Sequence, residues 1–408
     1  MLLPRSTLPL LGVCGICLVE TASASPTAQF PARRAADVAA CKLASVPGID
    51  LSSGFGFEAD CAPSTGPLSA FMFFVDFSDQ AGPAGDDDMP DALYDFLVPG
   101  AAEWYSTSSY GRLALNVTAD RTGLHRMPVP ASSYGWDRGL TYEAHETYIQ
   151  DALEAYVTVG GGAPPETDVL YVVASRAATR ISFSPTFMGP VATRAGVRVA
   201  SKAVTIGYDA YDAWRHLVLN HETGHAMCLP DFYPIDGQLT GLYVGGWDLM
   251  GYINGPSPDY LAWNKWRLGW LDDAAIDCID GADSGSTTHV LSPVEVETDG
   301  GATRKAVVVR RSGTEALVAE ARSRRGVDAD ACAAGVLLYT VSTDTASGAG
   351  PVRVLDANPG SGGCADDELN DAALTLDGAS EFAVPGWDVT VRLTAQDGDV
   401  YTIQVDIA

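Results

Sequence analysis

Positive charge is scarce in this chain. Its 408 residues carry 25 Lys and Arg against 52 Asp and Glu, a formal net charge of −27. DNA, RNA and anionic membrane surfaces call for basic patches, so the acidic balance argues against nucleic acid and charged lipid as partners. Long apolar runs are also missing. None reaches the roughly 20 residues that a spanning helix requires, so no membrane span is expected. Histidine is sparse, with six in the whole chain, and no internal repeat is visible. What the chain does hold is apolar material. Hydrophobic residues make up 47% and charged ones 19%, which suits packed cores and excludes a mainly disordered chain.

The N-terminus reads as an address. Arg5 precedes an apolar stretch over 8–19, and Ala22-Ser23-Ala24 forms an A-x-A cleavage site. Residues 1–24 are therefore expected to be a signal peptide and the protein to be secreted. Cys14 and Cys17 leave with it. Cys41, Cys61, Cys228, Cys278, Cys332 and Cys364 remain, an even set that suggests disulfides in an oxidising compartment. Six cysteines permit about 15 connectivities; nearest neighbours would pair 41–61, 228–278 and 332–364. Asn116-Val117-Thr118 is a glycosylation sequon.

Residues 25–66 form an Ala-, Pro-, Ser- and Gly-rich extension without a long periodic element. Arg33-Arg34 within it is either a processing site or two solvated charges. From Leu68 the pattern changes. A continuous apolar run over 70–77 predicts a buried strand. Helical spacing of Leu93, Phe96, Leu97, Ala101 and Trp104 predicts a helix over 91–105, and a second helix is expected over 142–157. Strands are expected at 113–117 and 169–173. This α+β region, residues 67–278, gives way to a Gly/Ser/Asp stretch at 280–288 that reads as a linker. Short β-type runs follow, ending in two alternating segments joined by the turn signal Asp397-Gly398. Residues 289–408 are expected to be a small all-β, sandwich-like domain.

His221-Glu222-Thr223-Gly224-His225 is an H-E-x-x-H motif. On a helix the two histidines stand about 40° apart on one face, one turn above the other. Both imidazoles can then reach one Zn²⁺, with Glu222 beside them to take a proton from a water on the metal. Asp209 and Asp212 offer N-terminal capping, and Trp214, Leu217 and Val218 extend the apolar stripe. Asp231, six residues after His225, is the expected third ligand, since Leu229-Pro230 turns the chain there; the other reading makes it a turn residue or one that supports the ligands from behind. Met250, between glycines, would pack beneath the ligands, and Tyr252 would offer a hydroxyl to an oxyanion. Asp86-Asp87-Asp88 with Asp91 could bind Ca²⁺ but lacks the EF-hand spacing, and reads as a solvated acidic loop.

In combination these residues resemble the immune inhibitor A family of secreted zinc metallopeptidases, a metzincin-like group. The resemblance runs from Phe74-Val75-Asp76-Phe77-Ser78-Asp79 through Tyr105 and Ser109-Tyr110-Gly111, the zinc helix, Trp247-Asp248-Leu249-Met250 and the segment 262–270 to Gly335-Val336-Leu337-Leu338-Tyr339. It implies a metzincin-like catalytic domain, a twisted mixed sheet with an active-site helix, made with an N-terminal pro-segment. It also implies a zinc endopeptidase acting on protein or peptide substrates, with one catalytic Zn²⁺ on His221, His225 and Asp231, Glu222 as general base and Met250 as the turn methionine. A monomer is expected. The other reading is a catalytically silent secreted protein that keeps zinc structurally, which would have no need of Glu222. One departure stands out: Cys228 occupies the place of the family's glycine three residues after the second histidine. A Cβ there is unfavourable by roughly 1–2 kcal/mol in a left-handed helix end. Cys228 is expected first as a disulfide partner, then as a free buried thiol, and last as a ligand.

Overall fold

The computed structural model describes residues 38–56, 61–160, 162–282, 284–297 and 301–408. The expected signal peptide and Arg33-Arg34 lie outside the described residues. The apolar run after Leu68 becomes strand β1 (Gly66–Asp76). Its side chains alternate between two cores: Ala70, Met72 and Phe74 enter one, Phe71, Phe73 and Val75 the other. Burial on both faces is what an unbroken apolar run demands. Strand β1 pairs in parallel with β2 (Leu113–Arg126) and β3 (Thr167–Ala174), and β3 with β6 (Arg198–Ile206). Two short strands, β4 (Thr186–Phe187) and β5 (Val191–Ala192), lie antiparallel on β6. The result is a mixed sheet in the order β2-β1-β3-β6-β4.

Both expected helices form. Helix α1 (Pro90–Ser108) starts on a proline, whose missing N–H is harmless in a first turn. It buries Leu93, Leu97, Ala101 and Trp104 in the first core, and α2 (Tyr142–Gly160) buries Tyr148, Ile149 and Leu153 in the second. The sheet is thus covered on both faces.

The β region does not begin after a linker. Strand β7 (Ile276–Asp280) joins a five-stranded sheet with β9 (Ala306–Arg310), β10 (Glu315–Arg322), β11 (Gly335–Ser342) and β12 (Val352–Val354). Residues 285–288, read as linker, belong to β8 (Gly285–Leu291). That strand pairs with β15 (Val400–Ile407) in a four-stranded sheet completed by β13 (Glu381–Val384) and β14 (Val389–Asp397). The expected hairpin at Asp397-Gly398 joins β14 to β15. The five-stranded sheet is buried on both sides. Val307, Val309, Leu317 and Leu338 face Val391, Leu393 and Ile403 of the four-stranded sheet, whereas Val308, Val318, Leu337 and Tyr339 enter the same core as β1 and α1. The described residues belong to one compact unit.

The cysteines pair differently from the nearest-neighbour expectation. Cys332–Cys364 forms as expected, but Cys41 bonds Cys278 and Cys61 bonds Cys228. The reason is the path of the extension, which packs across the molecule instead of folding on itself. Phe55 lies edge-on to Trp263 and Trp266, at centroid separations of 5.3 and 4.7 Å. Trp263 Nε1 donates to the Ser53 carbonyl, and Arg267 donates to the carbonyls of Ser52 and Gly54. Asn116 is exposed on β2.

His145 on α2 makes stability sensitive to acid. It is buried, 3.0 Å from Thr205 Oγ1, and burial pulls its pKa down from 6.5 to about 4. A depressed folded-state value means that its contribution is complete above pH 6.5 and is lost as pH falls toward 4. Acid unfolding followed by circular dichroism is therefore expected to show a slope in that window that His145→Gln flattens, an effect on the order of 3 kcal/mol.

Candidate metal centre

The H-E-x-x-H segment lies on helix α3 (His216–Ala226), whose Val218 and Leu219 pack in the first core. The expected caps do not act. Arg215 precedes the helix at φ 51° and no side chain caps it, because residues 210–214 form a separate wide turn. Asp209 is drawn away to the Ser184 amide and hydroxyl, at 2.8 and 2.7 Å.

The C-terminal end of α3 is defined more sharply. The Leu229 amide donates to the Gly224 carbonyl and the Cys228 amide to that of His225, at 3.0 and 2.7 Å. This is a Schellman motif with Cys228 at its left-handed position, φ 64°. Cys228 is thus a disulfide partner, as expected first, in the conformation that glycine would take freely. In a background with the Cys61–Cys228 bond removed, Cys228→Gly is expected to be about 1 kcal/mol more stable than Cys228→Ala, measured by denaturant unfolding.

The motif now meets Asp231. His221 Nε2 and His225 Nε2 each lie 3.2 Å from Asp231 Oδ1. Each histidine uses Nδ1 on a backbone carbonyl, that of Leu249 at 2.8 Å and that of Leu229 at 2.7 Å. A proton on Nδ1 leaves the Nε2 lone pairs aimed inward. Asp231 Oδ1 is buried and has no well-formed hydrogen bond among the described residues. Bonds of about 2.0–2.1 Å in a tetrahedron set ligand atoms about 3.3 Å apart, so the donor set and its spacing fit Zn²⁺. Burial opposes charge on His225, but the Asp231 carboxylate outweighs it and lifts the imidazole to about 9. Burial likewise opposes the charge on Asp231, yet the histidines hold its pKa well below the usual carboxylate range.

Glu222 projects beside this trio. Thr186 Oγ1 on β4 lies 2.8 Å from its Oε2 and 2.7 Å from its carbonyl oxygen. Burial pushes the Glu222 pKa up, against the pull of the two histidines. A cavity of about 250 Å³ opens beside Thr186, walled by Tyr142, Phe183, Phe187 and Arg138.

Met250 is fully buried beneath α3, and a Cβ at Gly224 would lie 2.6 Å from its sulfur. The glycine inside the motif is thereby explained. Tyr252 is half-buried in the following loop, and no hydrogen bond or ring contact joins it to His221, Glu222, His225 or Asp231 among the described residues. Tyr233 does approach the site, its ring lying 6.1 Å from that of His221. Burial, then the Asp231 carboxylate, raises its pKa. Its position two residues after Asp231 was the available signal; Thr186, on a two-residue strand, left none. His221, His225 and Asp231 are the one group of three metal-ligand types gathered among the described residues. Asp88 instead accepts the amides of Ala84 and Arg176, and Asp91 pairs with Arg121, so the acidic turn assembles no Ca²⁺ site there.

No family model matches the chain, and no curated protein matches it. Among solved structures it is similar to metalloproteinase-II from Bacteroides fragilis, at 12% identity and a TM-score of 0.27, covering 58% of this chain and 61% of that one. It is also similar to catalytically inactive OgpA from Akkermansia muciniphila, solved with an O-glycopeptide (glycodrosocin) substrate. There the identity is 10% and the TM-score 0.26, over 88% of this chain and 97% of that one. The chain thus spans about three fifths of the Bacteroides protein. Likenesses this slight carry no argument; the site rests on its own geometry.

On β10, Arg322 is fully buried. It pairs with Glu295 at 2.9 Å, Glu320 at 3.1 Å and Asp328, and donates to the Trp247 carbonyl at 3.0 Å, three residues before Met250. Burial works against its charge, and the three carboxylates outweigh it.

Proposed function

We propose that the chain is a secreted zinc-dependent endopeptidase with a metzincin-like catalytic region. One observation carries the reading: two imidazole nitrogens converge on a single carboxylate oxygen at 3.2 Å, with a buried glutamate beside them. A zinc ion held by His221, His225 and Asp231 would supply a Lewis acid that acidifies the attacking water and polarises the scissile carbonyl. Glu222 takes the water's proton and returns it to the leaving amine; no covalent acyl intermediate is needed. Thr186 keeps the carboxylate oriented toward the reacting atoms, and burial, which raises its proton affinity, makes Glu222 a stronger base than a solvated carboxylate. The cavity beside Thr186 offers room for a substrate side chain. Secretion agrees with the three disulfides.

The experiment is cleavage of casein by purified protein whose zinc content has been measured. About one zinc per chain and activity lost to a chelator are the expected result. Stoichiometric zinc without cleavage would favour the silent binding protein, and no zinc at all would remove the reading.

A further inference from the structure

Resting on the zinc reading, we infer that Ser347 is a positioning residue for the third ligand, and that the β11–β12 loop builds the seat of Asp231. Both backbone groups of Asp231 are held by that loop. Its amide donates to Ser347 Oγ at 2.8 Å, and its carbonyl accepts the Gly348 amide at 3.0 Å. A ligand on a turn would otherwise swing about the φ and ψ bonds that flank its Cα. Here the peptide is gripped on both sides, so the side chain is delivered to the two histidines from a fixed origin.

The loop is itself tied down. The Ser347 amide donates to the Asp50 carbonyl at 3.1 Å, and Ser52 Oγ donates to the Thr343 carbonyl at 2.6 Å. Asp50 and Ser52 belong to the N-terminal strap, whose flanking cysteines are bonded to Cys278 and Cys228. Gly348 is at φ 72°, and a Cβ there would lie 2.6 Å from the Ile235 side chain, so the loop fits closely over the turn that follows Asp231. Strap, β-region loop and ligand turn form one chain of contacts ending at the metal position. None of these residues belongs to the motif. Groups that orient ligands from behind typically contribute 10–100-fold to metal affinity.

The test compares zinc dissociation constants, by competition with a chromophoric chelator, for the full chain, Ser347→Ala and Ser347→Thr. Ser347→Ala is expected to bind zinc about 10–100-fold more weakly, and Ser347→Thr, which keeps the hydroxyl, to stay near the parent. Amide exchange of metal-free parent protein gives a second readout that needs no variant and no zinc: the Asp231 amide is expected to be protected. Equal affinity for Ser347→Ala and the parent would overturn the inference, and so would an Asp231 amide that exchanges as fast as an open loop. A parent that binds no zinc removes the hydrolase reading instead, and exchange at Asp231 still decides whether the clamp exists.

Discussion

Glu222→Gln is expected to lower peptide hydrolysis by about 10²–10⁴-fold while leaving zinc content unchanged. Glutamine keeps the shape of the side chain and still offers an oxygen to Thr186 Oγ1, which lies 2.8 Å from the present carboxylate. It cannot accept the proton of the attacking water. The proposed ligands His221, His225 and Asp231 are untouched, so the metal is expected to stay. Steady-state kinetics on a quenched peptide together with metal analysis of the same sample check this. The loss should fall on kcat, because a proton acceptor acts in the transition state and not in substrate binding. A variant that cleaves at the parent rate would remove Glu222 from the mechanism.

Arg322→Met is expected to be the most destabilising single change outside the site. The guanidinium is buried with Glu295, Glu320 and Asp328 around it. Removing one partner of a buried ion cluster leaves uncompensated charge, typically a loss of 3–5 kcal/mol. Here three carboxylates lose their counter-charge and the Trp247 carbonyl loses a donor, so the Met250 turn loosens with them. Thermal unfolding is expected to show a midpoint lower by roughly 5 °C. The exposed pair Arg112–Asp272, at 2.6 Å, provides the contrast: Arg112→Ala should shift stability by less than about 1 kcal/mol, because water screens a surface ion pair. Equal effects from the two variants would show that the buried cluster is not what holds the floor of the site.

Local signals in the sequence were legible where one element answers for them. The run at 70–77 and the helices at 91–105 and 142–157 were readable because period and burial lie in contiguous residues. So was the pair His221 and His225, since helix geometry alone brings them together. Asp231 was legible as a spacing, and Met250 as a glycine-flanked turn. What escaped was long-range. The Cys41–Cys278 and Cys61–Cys228 bonds link positions 237 and 167 apart, and no local pattern encodes such separations. Strands β4 and β5 have two residues each, too few for a period. The stretch 280–288 looked like a linker because Gly, Ser and Asp mark loops, yet pairing with β15 makes part of it a strand. Caps were misplaced because Asp209 found a tertiary partner in Ser184, a competition that propensity does not see.

Asp231 and the hydroxyl on which its amide rests are 116 positions apart. At ribosomal rates of about 5–20 residues per second, the loop that seats this ligand emerges several seconds to tens of seconds after the ligand itself. A nascent chain therefore carries both histidines and the acid long before it owns a finished pocket. Under the proposed function, the seat of the third ligand is complete only once Ser347 and Gly348 have been made.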